Sequence, residues 1–586
     1  MPKANEAVNE TETPDNTALR DPEFWLFRHI PLGLVVPLGL LAALAGWTAT
    51  ILRAPLWAII LSGAAVLLLG AVPVRRRYPR NLAGMFGRAV AFRWRRTKPG
   101  RRDTARDAFD VPLPEGGSYG VRWDGKQLTT VVRIDPPPDA MTLLRRGSLS
   151  TDQVVPLTEI GKCLSQFDIR LDSIDVVSTG ARTAEAGVVA QLYDRILGPL
   201  PAIAHRTVWL VLRLDPLANV EAVQSRGGGG TGALRTAIIA TRRVANRLAA
   251  LDISVSVLTS AEINGAVRTL TRGIALEDFT ETPKCLVAGN AYLTSYEIGP
   301  ELIGPRGFSE VWATPSLGTT VTVRLRPDGD KASRRDVETP ITMAALVRFD
   351  TATAPEEPPV PGLRPLQGRQ YRALLDSLPV RAGHGDDGVS DYHGPLAALE
   401  GIALPTAGCG QLIGADDLGQ GIAVPLIGAG TRQLEVIGKL DLAQQVILRA
   451  IALGAHAIVH TDRPDAWTSM VGNVGTPQML TLAPRAAGAS YHPPHPSPSP
   501  VAIAPTATVV VFDGIPPTAI TGGATIVHVR GPQDPPGQFD ADVVLTQDPA
   551  APNLITVRTS TAAATVNMVT TPDEMWYIGE SLAAAR

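Results

Sequence analysis

The sequence predicts a membrane protein in which an N-terminal two-helix transmembrane hairpin is followed by cytosolic α/β domains. Three observations lead to this prediction. Two uncharged apolar stretches lie close together near the N-terminus, a cluster of arginines follows the second, and strand-like and helix-like segments alternate through the remaining chain. The chain has 586 residues, and because a domain averages about 100–200 residues, several units are expected.

The two apolar stretches are Ile30–Ile51 and Leu56–Val74, and neither contains a charged residue. A helix rises 1.5 Å per residue, so about 20 residues are enough to cross a hydrocarbon core of about 30 Å. The residues between them, Arg53 to Pro55, predict a tight reversal. A signal peptide is disfavoured because two spans follow each other without a small-residue cleavage site. Residues 30–74 are therefore predicted to form a transmembrane hairpin.

Aromatic and basic residues near the ends of these stretches predict the membrane interface and the orientation. Amphipathic rings favour the interface, and an excess of Arg and Lys favours the cytoplasmic side. Two spans are therefore expected in the inner (plasma) membrane, with both termini and the remaining chain in the cytoplasm. The predicted membrane-interface residues are Trp25, Trp47, Trp57, Tyr78, Arg75, Arg76, Arg77, Arg93, Arg95 and Arg96.

The formal net charge of −2 conceals an uneven distribution of charge along the chain. Residues 75–106 hold eleven Arg and one Lys against one Asp, whereas residues 107–586 hold 38 basic and 49 acidic side chains. A basic segment beside a membrane attracts anionic headgroups, so inner-membrane lipids are predicted as partners. Nucleic acid is the rival partner for these arginines, and it is not predicted because their position after the apolar stretch already accounts for them.

Beyond residue 110, strand-like and helix-like segments alternate, which predicts α/β layers. Asp124-Gly125 separates two alternating segments, Tyr119–Trp123 and Gln127–Ile134, and predicts the turn of a β-hairpin. Thr207–Leu214 is almost continuously apolar and is predicted to be a central strand. The other predicted elements here are helices at Val155–Phe167, Glu185–Leu197 and Ala233–Leu251, and strands at Ile169–Val177 and Ile253–Leu258.

A Pro-rich stretch at residues 351–362 predicts a linker between two cytosolic units. After it, a second α/β pattern places strands at Leu434–Ile437, Ala457–His460 and Thr508–Phe512, with a helix at Leu440–Leu453. The predicted division is an N-terminal tail at 1–29, the hairpin at 30–74, a basic juxtamembrane segment at 75–110, an α/β domain at 111–350, a linker at 351–375 and a second α/β domain at 376–586.

Two segments share features with phosphate-binding loops. The glycines at 227–232 precede a predicted helix, whose N-terminal amides could bind a phosphate, but Ala233-Leu234 stand where a P-loop has Lys-Ser/Thr. A flexible loop is therefore the preferred interpretation.

In the C-terminal part, Gly438-Lys439 follows a strand and Asp513 ends another, which is the order of parts in a nucleotide-binding core. Leu440 and Gln433 replace residues that such a motif requires. This favours a degenerate domain that does not hydrolyse nucleotides.

No catalytic, cofactor-binding or metal-binding residue is predicted, and no cofactor is expected. Asp172 and Asp175 are three apart in a predicted strand, so they point to opposite faces. The three cysteines, Cys163, Cys285 and Cys409, are too few and too far apart for a disulfide framework or a Cys-based zinc cluster. The histidine pairs have no third metal ligand at a suitable spacing; they are His456 with His460 and His492 with His495.

An ordered set of segments across residues 20–275 resembles the EccE component of the actinobacterial type VII (ESX) secretion system, in a long form with a C-terminal extension. The set begins with the apolar hairpin and its basic exit and continues through the Arg242-Arg243 helix to Leu258-Thr259. The segments between them are Tyr119–Gly125, Leu171–Ser178, Leu197–Pro201 and Arg206–Arg213.

The resemblance implies a non-catalytic assembly subunit of an inner-membrane secretion complex, beside the EccB, EccC and EccD components. One alternative is a membrane-tethered nucleotide-binding protein or enzyme that uses Gly227–Gly232 or the Gly438-Lys439 region. Another is a peripheral lipid-binding protein that acts through its arginine-rich segment.

Overall fold

The computed structural model describes residues 32–53, 55–71, 73–75, 79–81 and 107–578, together with residues 19 and 93. Within 107–578 it leaves out 138–139, 185–186, 329–339, 381–388, 429, 484–506, 517–522, 535–539 and 569. The helices are α1 (Leu32–Ile51), α2 (Leu56–Ala71), α3 (Leu157–Lys162), α4 (Val188–Leu197), α5 (Val220–Gln224), α6 (Gly229–Ala249), α7 (Ser260–Leu270), α8 (Pro305–Trp312), α9 (Gln370–Asp376), α10 (Leu440–Ala452), α11 (Asp465–Val474) and α12 (Pro572–Ile578).

The helices α1 and α2 pack against each other as a hairpin. The structure nevertheless contradicts the part of the predicted fold class that places this hairpin across a membrane. None of the helices in the described residues combines the length and the apolar character that a membrane crossing needs. The 16 residues of α2 rise about 24 Å, less than a hydrocarbon core of about 30 Å. The predicted transmembrane hairpin is therefore wrong.

The first sheet contains most strands of residues 109–395. After the small pair of β1 (Pro73–Arg75) and β2 (Pro79–Asn81), its members are β3 (Phe109–Pro112), β4 (Ser118–Trp123), β5 (Leu128–Ile134), β11 (Ser173–Ala181), β12 (His205–Leu214), β13 (Val255–Val257), β14 (Thr280–Glu281), β15 (Leu286–Ala288), β16 (Ala291–Ile298), β17 (Gly318–Pro327), β18 (Pro340–Thr351), β19 (Leu363–Pro365) and β20 (Tyr392–Pro395).

The strands of the first sheet follow the spatial order β14-β15-β16-β18-β17-β11-β12-β5-β4-β3, with β13, β19 and β20 paired to β5, β16 and β18. Every described pair in it is antiparallel, so the α/β layer predicted for residues 111–350 is wrong. The alternation of strand and helix along the chain predicted parallel strands joined by helical crossovers. Several strands instead pair antiparallel with their neighbour, without such a crossover. The apolar strand β12 does lie inside the sheet, between β11 and β5.

Local sequence signals explain several elements of this sheet. Asp124 accepts hydrogen bonds from the amides of Lys126 (2.8 Å) and Gln127 (2.7 Å), and Gly125 has a φ of 101°, which makes the turn between β4 and β5. A capping box begins α7, because the amide of Thr259 donates to Glu262 Oε2 at 2.9 Å while Thr259 Oγ1 accepts from the amide of Glu262. These signals lie within a few residues of each other in sequence.

Between β5 and β12, the chain is less helical than its sequence predicts. The expected helix at Val155–Phe167 is reduced to α3, because the residues on both sides of α3 pair as strands instead. Tertiary partners thus override local helix propensity here. The strands concerned are β8 (Val154–Pro156), which pairs with β21 (Ala403–Pro405), and β9 (Ser165–Gln166), which pairs with β10 (Ile169–Arg170).

The second sheet follows the order β26-β25-β27-β28-β24-β29-β30-β31-β22-β23-β6-β7. Its strands from β26 to β29 pair in parallel, and the rest pair antiparallel. Its members are β6 (Thr142–Arg145), β7 (Ser148–Ser150), β22 (Gln411–Ala415), β23 (Gly421–Val424), β24 (Gln433–Ile437), β25 (Ala455–Thr461), β26 (Leu480–Leu482), β27 (Ala507–Asp513), β28 (Thr525–Arg530), β29 (Val543–Gln547), β30 (Leu554–Arg558) and β31 (Ala563–Asn567).

The two sheets share chain segments and a packed junction. The strands β6 and β7 come from the first half of the chain but form an edge of the second sheet, and α4 packs its apolar face on α10. Tyr193 on α4 is buried, and its hydroxyl accepts a hydrogen bond from the amide of Leu412 at 2.7 Å. Fully buried Arg182 donates to Asp194 (2.8 Å) and to three carbonyl oxygens at 2.7–3.1 Å, including that of Ala313.

A buried ion network lies at the centre of the first sheet. The carboxylate of Asp175 on β11 accepts hydrogen bonds from Arg213 on β12 and from Arg324 on β17, the latter at 2.9 Å from two nitrogens. Arg324 also bonds the side chain and the carbonyl oxygen of Asp376 at the end of α9, at 3.4 and 2.8 Å. Burial alone would raise the pKa of Asp175, but the charges of the two guanidinium groups outweigh burial and hold the pKa below its usual range.

We expect Asp175→Asn to lower the free energy of unfolding by about 3–5 kcal/mol, because it leaves buried Arg213 without its hydrogen-bonded anion and leaves Arg324 with only Asp376. Since the pKa of Asp175 is lowered in the fold, its contribution is complete above its unfolded pKa of about 4 and is lost as the pH falls through the lowered value. Urea unfolding of the full chain at several pH values measures the loss.

Asp573→Asn is the matched control for this experiment. Asp573 pairs with Arg195 at 2.9 Å, and both side chains are more than half exposed, so its loss should cost about 1 kcal/mol or less. Equal losses of stability from the two substitutions would contradict the assigned role of Asp175.

Candidate functional site

The parallel part of the second sheet contains the place where such sheets commonly bind ligands. The chain leaves β24 for β25, three positions away, returns through β27 and β28 to a place beside β24, and then forms β29 on the other side of β24. Ligands of open parallel sheets bind at the carboxyl ends of the strands where the order reverses in this way. The carboxyl ends of β24, β27 and β28, here called the carboxyl edge, therefore form the candidate site.

At the carboxyl edge, two amide donors of the turn from β24 into α10 are bonded within the protein. The amide of Gly438 donates to the carbonyl oxygen of Arg530 at 2.9 Å, and the amide of Lys439 donates to Gln547 Oε1 at 2.7 Å. A Cβ at position 438 would lie 2.7 Å from that same Oε1, so the glycine is required by the approach of Gln547. A phosphate would need these amides, and a protein side chain has taken its place.

The carboxylate of Asp513, at the end of β27, is also hydrogen-bonded within the protein. Its fully buried carboxylate accepts hydrogen bonds from Thr461 Oγ1 (2.8 Å), Trp467 Nε1 (2.9 Å) and the guanidinium of Arg463 (2.5–3.2 Å). Burial would raise the pKa of Asp513, but these hydrogen bonds and the charge of Arg463 lower it. Through these hydrogen bonds the carboxylate links β25, α11 and β27. The guanidinium of Arg463 lies beside the carboxylate, where a bound cation would lie.

The glycine-rich segment between α5 and α6 is a tight helix–helix corner. Gly227, Gly228 and Gly229 have φ values of 105°, 63° and 54°, a region that favours glycine. A Cβ on Gly232 would lie 2.3 Å from the carbonyl oxygen of Val223, so the close approach of the two helices also requires glycine. Backbone conformation and the close approach of the two helices therefore explain these four glycines without a bound phosphate.

The predicted membrane-interface residues are only partly within the described chain. Trp47 on α1 and Trp57 on α2 are 65% and 68% exposed, on either side of the turn between the two helices. Arg75 ends β1, and Arg93 is exposed. Their role at an interface stays a prediction. The others lie outside the described residues: Trp25, Tyr78, Arg76, Arg77, Arg95 and Arg96.

The histidines and cysteines that could carry chemistry are packed or buried within the fold. His456 and His460 both lie on β25, and the ring of His460 stacks on that of Phe512 with centroids 5.2 Å apart. Burial raises the pKa of Cys163 to about 11 and that of Cys409 to about 12, which disfavours the reactive thiolate. No cluster of three or more metal-ligating side chains occurs among the described residues.

No sequence pattern indicates the residues that close the carboxyl edge. Gln547 is 108 positions from Lys439, and Arg463 is 50 positions from Asp513. Both occur in segments whose composition is unremarkable for loops and strand ends. The pairing of β24 with β29 brings Gln547 to Lys439, and the pairing of β25 with β27 brings Arg463 to Asp513.

A family model described as "type VII ESX secretion system translocon, EccE" matches residues 202–298, from the start of β12 to the end of β16. The ESX-1 secretion system protein EccE1 of Mycolicibacterium smegmatis is 26% identical over 429 residues, which are 72% of this chain and 81% of that protein. The chain is a relative of the EccE proteins. The resemblance predicted from the sequence is confirmed.

Two further EccE proteins from other ESX systems are similar to this EccE relative. The ESX-2 protein EccE2 of Mycobacterium tuberculosis is 25% identical over 369 residues, 62% of this chain and 64% of that protein. The ESX-5 protein EccE5 of Mycobacterium marinum is 31% identical over 280 residues, 45% of this chain and 65% of that protein. The chain thus spans just under two thirds of the length of these two relatives.

We expect Gln547→Ala to expose the amide of Lys439, because the substitution removes the acceptor of that hydrogen bond and of no other backbone amide nearby. Leaving a part-buried donor unsatisfied costs about 1–3 kcal/mol, so local opening should become more frequent. Hydrogen exchange of a peptide spanning residues 436–442 in the full chain should become faster. Gln224→Ala, at an exposed position on α5, is the control, and unchanged exchange in Gln547→Ala would contradict the proposed closure.

Proposed function

We propose that this EccE relative is a non-catalytic structural and assembly subunit of a type VII secretion complex. The observation that best supports a structural role is the closed carboxyl edge. The donors and the carboxylate that would receive a ligand there are bonded to Gln547, Arg463 and Trp467. Buried groups satisfied in this way rigidify a fold and give no site for a substrate.

The proposed partners are the other membrane subunits of the complex, EccB, EccC and EccD. This part of the proposal is supported by the kinship with ESX secretion proteins. A structural subunit needs a rigid surface, and the shared strands and the packed junction join the two sheets of this chain into one framework.

We further propose that the protein acts in association with the inner membrane, on its cytoplasmic side. The support is the basic segment at 75–110, in which twelve cations face a single carboxylate between residues 75 and 106. Each such cation near an anionic surface contributes about 1 kcal/mol of attraction, so the segment favours inner-membrane lipid headgroups.

Affinity purification of the full chain from mild detergent should recover other secretion subunits, which mass spectrometry would identify. A strain that carries the untagged chain is the control. Recovery of this chain alone, under conditions that keep the complex intact around another tagged subunit, would contradict the assembly role.

The nucleotide-binding alternative has its own test. Millimolar MgATP should leave the melting temperature of the full chain unchanged, and Lys439→Ala should behave like the wild type, because the amides that would bind phosphate are occupied. A ligand at 100 times its dissociation constant would add about 2.7 kcal/mol, which a melting curve detects easily. A rise in melting temperature with MgATP that Lys439→Ala abolishes would overturn the structural assignment of the carboxyl edge.

A further inference from the structure

A phenylalanine occupies the tip of the shortest described hairpin of the first half of the chain. Phe167 lies between β9 and β10, is 85% exposed, and has a φ of 56°. A bulky residue in the left-handed region is a real conformational outlier, with a cost of the order of 1–3 kcal/mol. A glycine or an asparagine would fit this backbone without that cost.

The hairpin tip is held rigidly on both sides. Asp168, next to the ring, pairs with Arg226 at 2.6 Å and with Arg243 at 3.3 Å. On the other side, the side chain of Asn219 bonds both the amide (2.8 Å) and the carbonyl oxygen (2.9 Å) of Arg170. An exposed aromatic ring on a fixed backbone loses little entropy when a partner covers it, which is the property of a binding anchor.

The surface around the ring combines apolar side chains with cations. Leu217 is 78% exposed and Val220 is 46% exposed, and both belong to the loop and helix that Asn219 fixes to the hairpin. The guanidinium of Arg243 lies over the phenyl ring at 5.3 Å. Arg235 donates to the carbonyl oxygen of Arg226, a neutral group.

The charge of this surface indicates the chemistry of its partner. Next to the ring, the guanidinium groups of Arg226 and Arg243 stand against the one carboxylate of Asp168, and Arg235 adds a third cation through its bond to Arg226; Asp215 and Glu221 lie on the side of Leu217 and Val220. The excess beside the ring is positive, which is a layout typical of an interface with a hydrophobic anchor and a charged rim. The complementary surface has an apolar pocket for one ring, bordered by Asp or Glu side chains.

We propose that Phe167 and its surroundings, here called the Phe167 surface, dock a partner protein of the secretion complex through such an acid-bordered apolar pocket. This inference rests on the proposed function. A phenyl ring that enters a pocket at the centre of an interface is a typical hot spot, whose truncation weakens binding by about tenfold or more.

Phe167→Asn tests the role of the ring separately from the fold, because asparagine tolerates the left-handed region. The full chain should keep or raise its melting temperature and should recover at least one secretion subunit about tenfold less well than the wild type. Leu418→Asn is the matched control. Leu418 lies in the turn between β22 and β23 of the second sheet, and its exposure of 78% is close to the 85% of Phe167. This control should recover the wild-type amounts.

Two arms identify the partner and its chemistry. With p-benzoylphenylalanine in place of Phe167, irradiation of cells should cross-link the chain to one subunit, at a peptide that contains apolar residues next to Asp or Glu. Arg235→Glu should also reduce recovery of that same subunit, because it reverses a rim charge.

The outcomes separate the inference from the proposed function. Wild-type recovery of all subunits by Phe167→Asn, or cross-links confined to lipid or to a second copy of this chain, would overturn the docking role and leave the assembly role in place. If the wild-type chain itself recovers no subunit, both the docking role and the assembly role fail.

Discussion

The first sheet depends on one buried carboxylate. Asp175 lies on β11 between β12 and β17, which carry Arg213 and Arg324. Arg324 extends the network to Asp376 on α9. A charge taken out of water is costly unless it is paired and hydrogen-bonded, so the register of these strands is restricted to the arrangement in which the charges meet. A slip of one residue would turn Asp175 to the other face of the sheet and separate it from both partners. The network therefore fixes which strands are neighbours as well as stabilising them.

Signals that act over a few residues predicted their elements well. The Asp124-Gly125 turn, the apolar strand β12 and the strand–glycine–helix passage from β24 to α10 all lie where the sequence indicates. The sequence could not show that β6 joins the second sheet, that the first sheet is antiparallel, or that residues 363–365, inside the predicted linker at 351–375, pair with β16. Those facts depend on pairings between distant segments, and hydrophobic pattern does not specify a strand's partner. Apolar length likewise overestimated the N-terminal helices.

The candidate site shows why motif order and ligand chemistry must be judged separately. Gly438-Lys439 and Asp513 occupy the positions expected of a nucleotide-binding core, and the missing liganding residues were already visible in the sequence. Their replacements were not. Gln547 and Arg463 reach the carboxyl edge from other strands and loops: Gln547 accepts the hydrogen bond that a phosphate would accept, and Arg463 places its cation beside the carboxylate that a metal ion would coordinate. A site of this type has become part of the packing of its own sheet.

The participation of β6 in the second sheet has a consequence for how the chain is made. β6 pairs at once with β7, but Leu144 also pairs with Gly421, so about 280 further residues must be made before its second neighbour, β23, exists. At about 5–20 residues per second, the ribosome needs about 15–55 s to supply them. During that interval the hairpin of β6 and β7 lacks the rest of the second sheet, so its apolar side chains are not yet buried in the native core. Completion of the second sheet is therefore a late, post-synthetic event that also closes the junction with the first.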